Sequence, residues 1–258
     1  MAKQPSNTPS QPPKSSSAPA STNTSRREAR RLADERRKRQ RWIAAAVIGA
    51  GLIVLVVLIY LVTRPAPLDV KNVSTTQPAN ASGHAWGAPA DQAKVVIVEY
   101  SDFQCPFCGR HALTTLPALA ERYGNNPNVR YEFHPYAFIG PESKDAAAAA
   151  LCAAEQEKFW PLHDTIFANQ NGENVGTFSK ANLKKIAEAV GLDMGAFNDC
   201  FDSGRLMKDV NNYLVEGQKL GVQSTPTFFV NGKQLLGALP AQDFFNAIDQ
   251  ALANAGAS

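Results

Sequence analysis

Two cysteines separated by two residues, Cys105 and Cys108, are the residues of this 258-residue chain best suited to covalent chemistry. A Cys-x-x-Cys pair serves either as a redox-active dithiol or as half of a zinc site. Pro106 fits the first position of a helix, where its missing N–H costs nothing. Cys105 would then occupy the helix cap, where free backbone amides and the helix dipole stabilise a thiolate. Because the thiolate is the nucleophile, this arrangement favours thiol–disulfide exchange.

The thiolate expected at Cys105 has a limited set of stabilising groups. A helix dipole and one charge-assisted hydrogen bond lower a thiol pKa from about 8.5 to about 7, which takes roughly 2 kcal/mol. A pKa near about 3.5–4 requires a further donor or cation, and the ring of Phe107 cannot be that donor. His111, three residues after Cys108, could supply a cation, although a structural histidine is the expected alternative.

The two remaining cysteines, Cys152 and Cys200, lie far apart in the chain. In an oxidising compartment a structural disulfide between them is the expectation, and two buried free thiols are the alternative. A zinc site built from all four cysteines is disfavoured, because no second closely spaced pair exists. We therefore predict neither a metal nor a cofactor.

The elements around the cysteine pair form a predicted β-α-β unit. Residues 94–101 are β-branched and mostly apolar, as in a buried central strand. A helix is expected from the cysteines to about Tyr123, with a kink at Pro117. A second strand follows over residues 129–136. The cysteine pair thus lies where a central strand passes into a helix.

The second half of the chain is predicted to contain a helical insert, a hairpin and a last helix. Residues 142–220 are rich in helix-forming sequence. Asn231-Gly232, between two short strand-like runs, is a strong hairpin signal. A final helix is expected over residues 240–253. The predicted order is therefore βαβ, helical insert, ββα, which is an α/β fold.

The charge is divided unevenly along the chain. Residues 1–41 hold 11 Lys and Arg against 3 Asp and Glu, whereas residues 42–258 hold 15 against 20. An acidic body argues against nucleic acid as a partner. Residues 1–25 consist largely of Ser, Pro, Thr and Asn and have almost nothing to bury. We therefore expect residues 1–41 to be a disordered basic tail.

An uncharged stretch over residues 42–62 follows the tail. As a helix it spans roughly 32 Å, enough to cross the hydrocarbon core of a bilayer. A cleaved signal peptide is the alternative, but it has a shorter apolar stretch nearer the start and a small-residue cleavage site. We predict an uncleaved single-pass anchor in the lipid bilayer. The positive-inside rule then places the tail in the cytoplasm and the remainder outside the cell membrane.

The residues after the anchor are expected to form a tether and then one domain. Residues 63–92 are polar and contain Pro and Ala, which is typical of a spacer. The end of this spacer, at Trp86, is the part that could pack on the domain. The domain itself is predicted over residues 93–258.

Three segments of the domain resemble one family. VIVEYSDFQCPFC (residues 96–108) is similar to the active-site segment of DsbA-like thiol–disulfide oxidoreductases. GVQSTPTFFVNG (residues 221–232) resembles that family's cis-proline segment, and FWPLHD (residues 159–164) resembles part of its inserted helical domain. The resemblance implies a thioredoxin fold with a helical insert. Together with the single N-terminal transmembrane helix, it implies the membrane-anchored Gram-positive or actinobacterial type.

The resemblance also implies roles for three buried or reactive side chains. Cys105 would be the nucleophile that forms mixed disulfides, and Cys108 would resolve them. Glu99, six residues before Cys105, matches a buried acid that assists proton movement in relatives. The alternative for Glu99 is an ordinary carboxylate at the end of a strand, near the surface.

Four residues are implied as substrate contacts. Thr225 precedes a cis-Pro226 that faces the cysteines and can bind an extended substrate backbone. Pro106 and Phe107, between the cysteines, complete this set. Phe107 is a departure from the family, because the best-known oxidases have His there. The lack of this thiolate-stabilising His makes the disulfide less oxidising.

The leading functional hypothesis is an oxidase that introduces disulfides into exported proteins with free thiols. A membrane partner of DsbB or vitamin-K-epoxide-reductase type would reoxidise it. An isomerase or reductase of the cell envelope is the first alternative, and Phe107 keeps it open. A non-catalytic envelope binding module is the second, and the intact cysteine pair argues against it.

Overall fold

The protein is described here by a computed structural model, which covers residues 22–63, 68–71 and 78–256. The chain divides into two compact units, Met1–Arg64 and Pro65–Ser258. The predicted α/β thioredoxin fold with a helical insert is confirmed for the second unit.

The first unit consists, in its described part, of one helix, α1 (Thr22–Thr63). Residues 26–62 are long and apolar enough to cross a membrane, and no other described helix is. The predicted disordered tail over residues 1–41 is wrong from Thr22 onward, and its first 21 residues lie outside the described part. Arg, Lys, Glu, Gln, Ala and Leu are strong helix formers, so they extend the apolar helix without a new nucleation step.

The second unit is built around a five-stranded sheet in the order β1-β3-β2-β4-β5. Its strands are β1 (Ala85–Gly87), β2 (Val95–Ser101), β3 (Val129–Pro135), β4 (Thr227–Val230) and β5 (Lys233–Leu236). β2 and β3 are parallel, and every other neighbouring pair is antiparallel. The predicted Asn231-Gly232 hairpin joins β4 to β5, with φ positive at both residues.

The end of the predicted spacer, where packing on the domain at Trp86 was considered, forms β1, so the sheet begins before the predicted domain start at residue 93. Trp86 is almost fully buried and stacks on Tyr131, with ring centroids 4.9 Å apart. Three residues are too few to show a strand periodicity in sequence. Burial of one large aromatic ring against the sheet is what draws this segment into the domain.

The helix after the cysteines is interrupted, as Pro117 predicted. α2 (Pro106–Arg110) passes into a π-helical turn (His111–Thr115) and then into α3 (Leu116–Tyr123), which holds Pro117 in its first turn. Proline removes a backbone donor, and the local widening before it absorbs the change.

The insert comprises five helices between β3 and β4, close to the predicted boundaries. They are α4 (Pro141–Ala154), α5 (Phe159–Ala168), α6 (Lys180–Ala189), α7 (Met194–Ser203) and α8 (Met207–Lys219). Cys152 of α4 and Cys200 of α7 form a disulfide. α9 (Ala241–Gly256) closes the described chain.

Side chains alternate across the sheet and so define what lies behind the cysteine pair. On one face, Glu99 of β2 pairs in register with Phe133 of β3 and Phe228 of β4. Tyr131 lies two residues before Phe133 and therefore shares this face. The polar side chain of Glu99 is thus held in the apolar interior, on the central strand that leads to the cysteines.

Candidate active site

The loop from β2 to α2 is held in place by the buried carboxylate of Asp102. It accepts hydrogen bonds from the backbone N–H of Gln104 at 2.8 Å, from that of Phe138 at 2.9 Å and from Ser143 Oγ at 2.6 Å. Sequence reasoning did not single out Asp102. The signal that could have identified it is an Asp directly after a strand, because Asp and Asn side chains commonly accept a hydrogen bond from the backbone N–H two residues on and so form a turn.

Cys105 occupies the N-cap of α2 with extended backbone angles, φ −69° and ψ 122°. Its side chain is 6% exposed, and Sγ lies 3.4 Å from the carbonyl oxygen of Thr225. The pKa of Cys105 is lowered to about 6, chiefly by the hydrogen bond from the Cys108 thiol and further by the Thr225 side chain and the amides of Cys108 and Phe107, while burial opposes them. Cys105 is therefore mainly a thiolate at neutral pH.

Cys108 differs from Cys105 in both access and acidity. Its side chain has no exposed surface, and burial followed by the neighbouring Cys105 raises its pKa well above the ordinary value. Both sulfurs are free, so the structure represents the reduced dithiol. One sulfur can thus ionise near the surface while the other keeps its proton inside.

Glu99 is 1% exposed, so it lies in the interior rather than at the surface, and it interacts electrostatically with both cysteines. Its Oε2 accepts a hydrogen bond of 2.5 Å from the hydroxyl of Tyr131, and its Oε1 has no hydrogen-bond partner. Burial raises the pKa of Glu99, and the Tyr131 hydrogen bond partly opposes that rise. The carboxyl group can therefore hold a proton at a higher pH than an exposed glutamate.

His111 does not supply the cation considered for Cys105. The ring is fully buried, and burial lowers its pKa to about 3, so it is neutral near pH 7. Its Nε2 lies 3.2 Å from the hydroxyl of Tyr131. Tyr131, which connects His111 to Glu99, was missed from sequence because a buried aromatic residue in a strand indicates only core.

The segment before β4 faces the cysteine at the helix cap. The Thr225–Pro226 peptide bond is cis, and Thr225 contributes the carbonyl near Cys105 Sγ. The carbonyl of Pro226 accepts a hydrogen bond of 2.9 Å from the N–H of Gly237, which ties this segment to the end of β5. The structure thus brings Thr225 and Pro226 to Cys105, as the family resemblance implied.

Pro106 and Phe107 lie on the surface beside the cysteine pair. Phe107 is 55% exposed, and the guanidinium of Arg110 lies over its ring, 5.2 Å from the centroid. Arg110 also donates a hydrogen bond of 3.3 Å to the carbonyl of Ala238. The Phe107 ring is therefore held in place yet available for contact.

Three further exposed apolar side chains, Phe138, Val175 and Leu236, adjoin segments bonded to the active-site loops. Phe138 donates its N–H to Asp102. Val175 follows Asn174, whose N–H donates to Gln104 Oε1 at 2.6 Å. Sequence reasoning missed all three, since single apolar residues in a loop or at the end of a short strand carry no periodic signal.

Comparison with known proteins shows that a thioredoxin family model matches residues 80–250. Three individual proteins are also similar to this chain. The Na(+)/H(+) antiporter NhaA 3 of Salinispora tropica is 35% identical over 170 residues, 64% of this chain and 24% of the antiporter. The probable disulfide bond formation protein D of Bacillus anthracis is 32% identical over 146 residues, 55% of this chain and 67% of that protein. A thioredoxin-like oxidoreductase from Silicibacter pomeroyi DSS-3 has 27% identity and a TM-score of 0.56, covering 66% of this chain and 91% of that one. This chain thus spans about a quarter of the antiporter it matches.

Proposed function

The chain belongs to the thioredoxin family, among its DsbA-like thiol–disulfide oxidoreductases, and from this premise we propose that it introduces disulfides into exported proteins. The observation that carries the proposal is the inequality of the two sulfurs, with a pKa of about 6 at Cys105 and a raised pKa at Cys108. A stabilised thiolate favours the reduced enzyme, and therefore favours transfer of its disulfide to a substrate.

The first step of the proposed reaction is attack by a substrate thiolate on Sγ of Cys105 in the oxidised enzyme. A mixed disulfide forms between the substrate and Cys105, while the Cys105–Cys108 bond breaks and Cys108 leaves with the electron pair. Cys105 is 6% exposed whereas Cys108 has no exposed surface, and this difference supports Cys105 as the sulfur attacked. The buried Cys108 then takes a proton, for which Glu99 is the proposed donor.

The second step completes the substrate's disulfide. A second substrate thiolate attacks the substrate sulfur of the mixed disulfide, and Cys105 leaves as a thiolate. Two substrate thiols have then lost two electrons and two protons, and the enzyme dithiol has gained the electrons. A membrane partner of DsbB or vitamin-K-epoxide-reductase type is proposed to accept them and restore the disulfide.

The surface around Cys105 supports an extended, partly apolar polypeptide as substrate. Thr225, ahead of cis-Pro226, is proposed to pair with the substrate backbone, and Pro106 and Phe107 to contact its side chains. The exposed rings of Phe107 and Phe138 are suited to residues that are buried once a protein has folded. Unfolded exported chains with free thiols present such segments.

The proposed location is the cell membrane, with α1 as a single-pass anchor. The basic residues that precede the apolar stretch support a cytoplasmic N-terminus and an extracytoplasmic domain. Labelling single engineered cysteines at positions 10 and 256, in a background where Cys105 and Cys108 are replaced by serine, with a membrane-impermeant maleimide in intact cells tests this orientation. Only position 256 should react, and labelling of position 10 alone would reverse the assignment.

Trapping of covalent complexes in cells tests the function itself. In Cys108→Ser the resolving thiol is absent, so complexes with exported proteins should accumulate and be released by a reducing agent. Cys105→Ser is the matched control and should accumulate none. Peptide mass mapping should place the intermolecular bond at Cys105. A bond consistently at Cys108, or no complexes while the wild type is redox-active, would contradict the mechanism.

The direction of transfer needs a separate measurement, because an envelope isomerase or reductase uses the same residues. The equilibrium potential of the full chain in detergent, measured against glutathione, distinguishes them. A value of about −120 to −180 mV supports an oxidase or isomerase, and one near about −270 mV supports a reductase. Oxidation of a reduced, unfolded protein, compared with rearrangement of a wrongly bonded one, separates the first two.

A further inference from the structure

Behind the cysteine pair, three buried side chains form a hydrogen-bonded row: Glu99, Tyr131 and His111. The hydroxyl of Tyr131 lies 2.5 Å from Glu99 Oε2 and 3.2 Å from His111 Nε2. Each of the three side chains is at least 99% buried. The row joins β2, β3 and the π-helical turn that follows α2, so it connects the central strand to the helix that carries the cysteines.

The direction of the hydrogen bonds in this row follows from the number of protons available. A tyrosine hydroxyl has one proton to donate. When Glu99 is a carboxylate it can only accept, so the Tyr131 proton points to Oε2 and His111 Nε2–H donates to the tyrosine oxygen. The rest of the His111 ring lies against Phe228 and Phe244, at centroid distances of 4.5 and 5.2 Å. Apolar surroundings thus keep the neutral ring in one place.

The two oxygens of Glu99 are therefore unequal. Oε2 is fixed by Tyr131, whereas Oε1 is buried and has no hydrogen-bond partner. An unpartnered buried carboxylate oxygen is costly, and in a native structure it calls for an explanation such as a catalytic role. We propose that Tyr131, supported by His111, is a positioning residue that leaves Glu99 Oε1 as the atom that exchanges a proton with Cys108.

This inference rests on the proposed thiol exchange and assigns its proton step to particular atoms. When the Cys105–Cys108 disulfide opens, Cys108 becomes a buried thiolate, which burial disfavours. The protonated Glu99 carboxyl transfers its proton to Cys108 Sγ and becomes a carboxylate. Tyr131 stabilises that carboxylate through Oε2. During reoxidation the proton returns from the Cys108 thiol to Glu99.

The charge on Glu99 depends on the groups that face it from the surrounding elements. These are Tyr131 of β3, His163 of α5, the Ser101 hydroxyl at the end of β2, which acts on both Glu99 and Cys108, and Cys105 and Cys108 at the start of α2. Phe228 of β4 and Phe244 of α9 place apolar rings against His111 in this region. Because Tyr131 is the hydrogen-bond donor to Oε2, its loss should raise the pKa of Glu99.

The test is the pH dependence of disulfide reduction in the full chain purified in detergent. The rate of reduction by dithiothreitol, divided by the concentration of dithiothreitol thiolate, should fall as Glu99 loses its proton. In Tyr131→Phe the midpoint of this fall should move up by about one pH unit, the scale of one hydrogen bond to a charged group. His111→Phe should move the midpoint in the same direction by a smaller amount, because it weakens the tyrosine as a donor.

Two controls separate positioning from a merely structural role. Tyr123→Phe removes another tyrosine hydroxyl that donates to a carboxylate, Asp249 Oδ1 at 2.7 Å, away from the cysteines, and should leave the midpoint unchanged. In a Glu99→Gln background the profile should be flat, and adding Tyr131→Phe should have no further effect.

The outcomes are distinct from those that test the proposed function. Dithiothreitol needs no protein substrate, so the profile can be measured even if no exported protein is trapped. An unshifted midpoint in a folded Tyr131→Phe protein would overturn the inference. So would an equal shift in Tyr123→Phe, or a shift that persists in the Glu99→Gln background. An upward shift confined to Tyr131→Phe and His111→Phe, and dependent on Glu99, would establish it.

Discussion

Replacing Cys108 by alanine should raise the pKa of Cys105, because the Cys108 thiol is the leading cause of its thiolate stabilisation. The pKa lies at about 6 instead of the ordinary 9.0, which corresponds to about 4 kcal/mol in favour of the thiolate. A hydrogen bond to a charged acceptor contributes about 1.5–3 kcal/mol, or about one to two pH units. The Cys105 pKa in Cys108→Ala should therefore lie near about 7–8, held there by the Thr225 side chain and the helix amides.

The matched variant is Cys108→Ser, which keeps a donor in nearly the same place. Its Cys105 pKa should stay near the wild-type value, because a hydroxyl can donate to the thiolate as the thiol does. The assay is the rate of alkylation of Cys105 by iodoacetamide as a function of pH, with the modified residue identified by mass spectrometry. The ultraviolet absorbance of the thiolate gives the same midpoint without a reagent.

An equal midpoint in the alanine variant and the wild type would refute this reasoning. The Cys105 thiolate would then be stabilised entirely by groups other than the Cys108 thiol, such as the helix amides and the dipole. A similar rise of the Cys105 pKa in the serine and alanine variants would also contradict it, since only the alanine variant lacks a donor at position 108. Thermal unfolding of each variant shows whether the fold around α2 is intact.

Three other predictions concern the dipeptide, the insert and the pH dependence of stability. Phe107→His should lower the Cys105 pKa and raise the redox potential, because the imidazole ring adds a donor and a charge. Phe107→Leu is the control and should change neither value. The pH profile of alkylation gives the pKa, and equilibration with glutathione gives the potential. Cys152→Ser opens a loop of about 49 residues, worth about 4 kcal/mol in the chain-entropy model, so the melting temperature should fall by roughly 10 °C while dithiothreitol exchange is retained. The reduced protein should gain stability relative to the oxidised protein between pH 6 and 9, by about 1.4 kcal/mol per pH unit, because the folded Cys105 pKa lies below its unfolded value of 9.0. That gain should be lost as the pH falls through about 6, and equal thermal shifts of the two forms at pH 6 and 8 would contradict it.

The sequence by itself determined those features whose causes are local in the chain. A strand, a cysteine, a proline and a second cysteine in succession predict a thiolate at a helix cap, because capping depends on adjacent residues. The Asn231-Gly232 hairpin and the break at Pro117 were likewise predictable from single residues with restricted backbones. The apolar stretch over residues 42–62 was found by its length alone.

Composition was a weaker guide where the structure of a segment depends on the helix or sheet next to it. The basic residues before the apolar stretch were expected to be disordered, yet they continue α1 from Thr22, because helix already formed removes the cost of nucleation. For the spacer, the sequence left open whether its end at Trp86 packs on the domain, and the structure buries Trp86 against Tyr131. In both cases the deciding energy comes from a neighbour that a composition count does not include.

Only the tertiary structure decided which side chains surround the two sulfurs. The parallel register of β2 and β3 sets Ile97 beside Tyr131, and this places the tyrosine hydroxyl on Glu99, 32 residues away in sequence. The main donor to the Cys105 thiolate is Cys108, whereas the sequence indicated the helix amides and dipole. Strand register and depth of burial are set by the packing of the whole domain, since a shift of one residue would turn these side chains to the opposite face. The reactive pair can therefore be read from adjacent residues, but its proton chemistry depends on residues that only folding brings together.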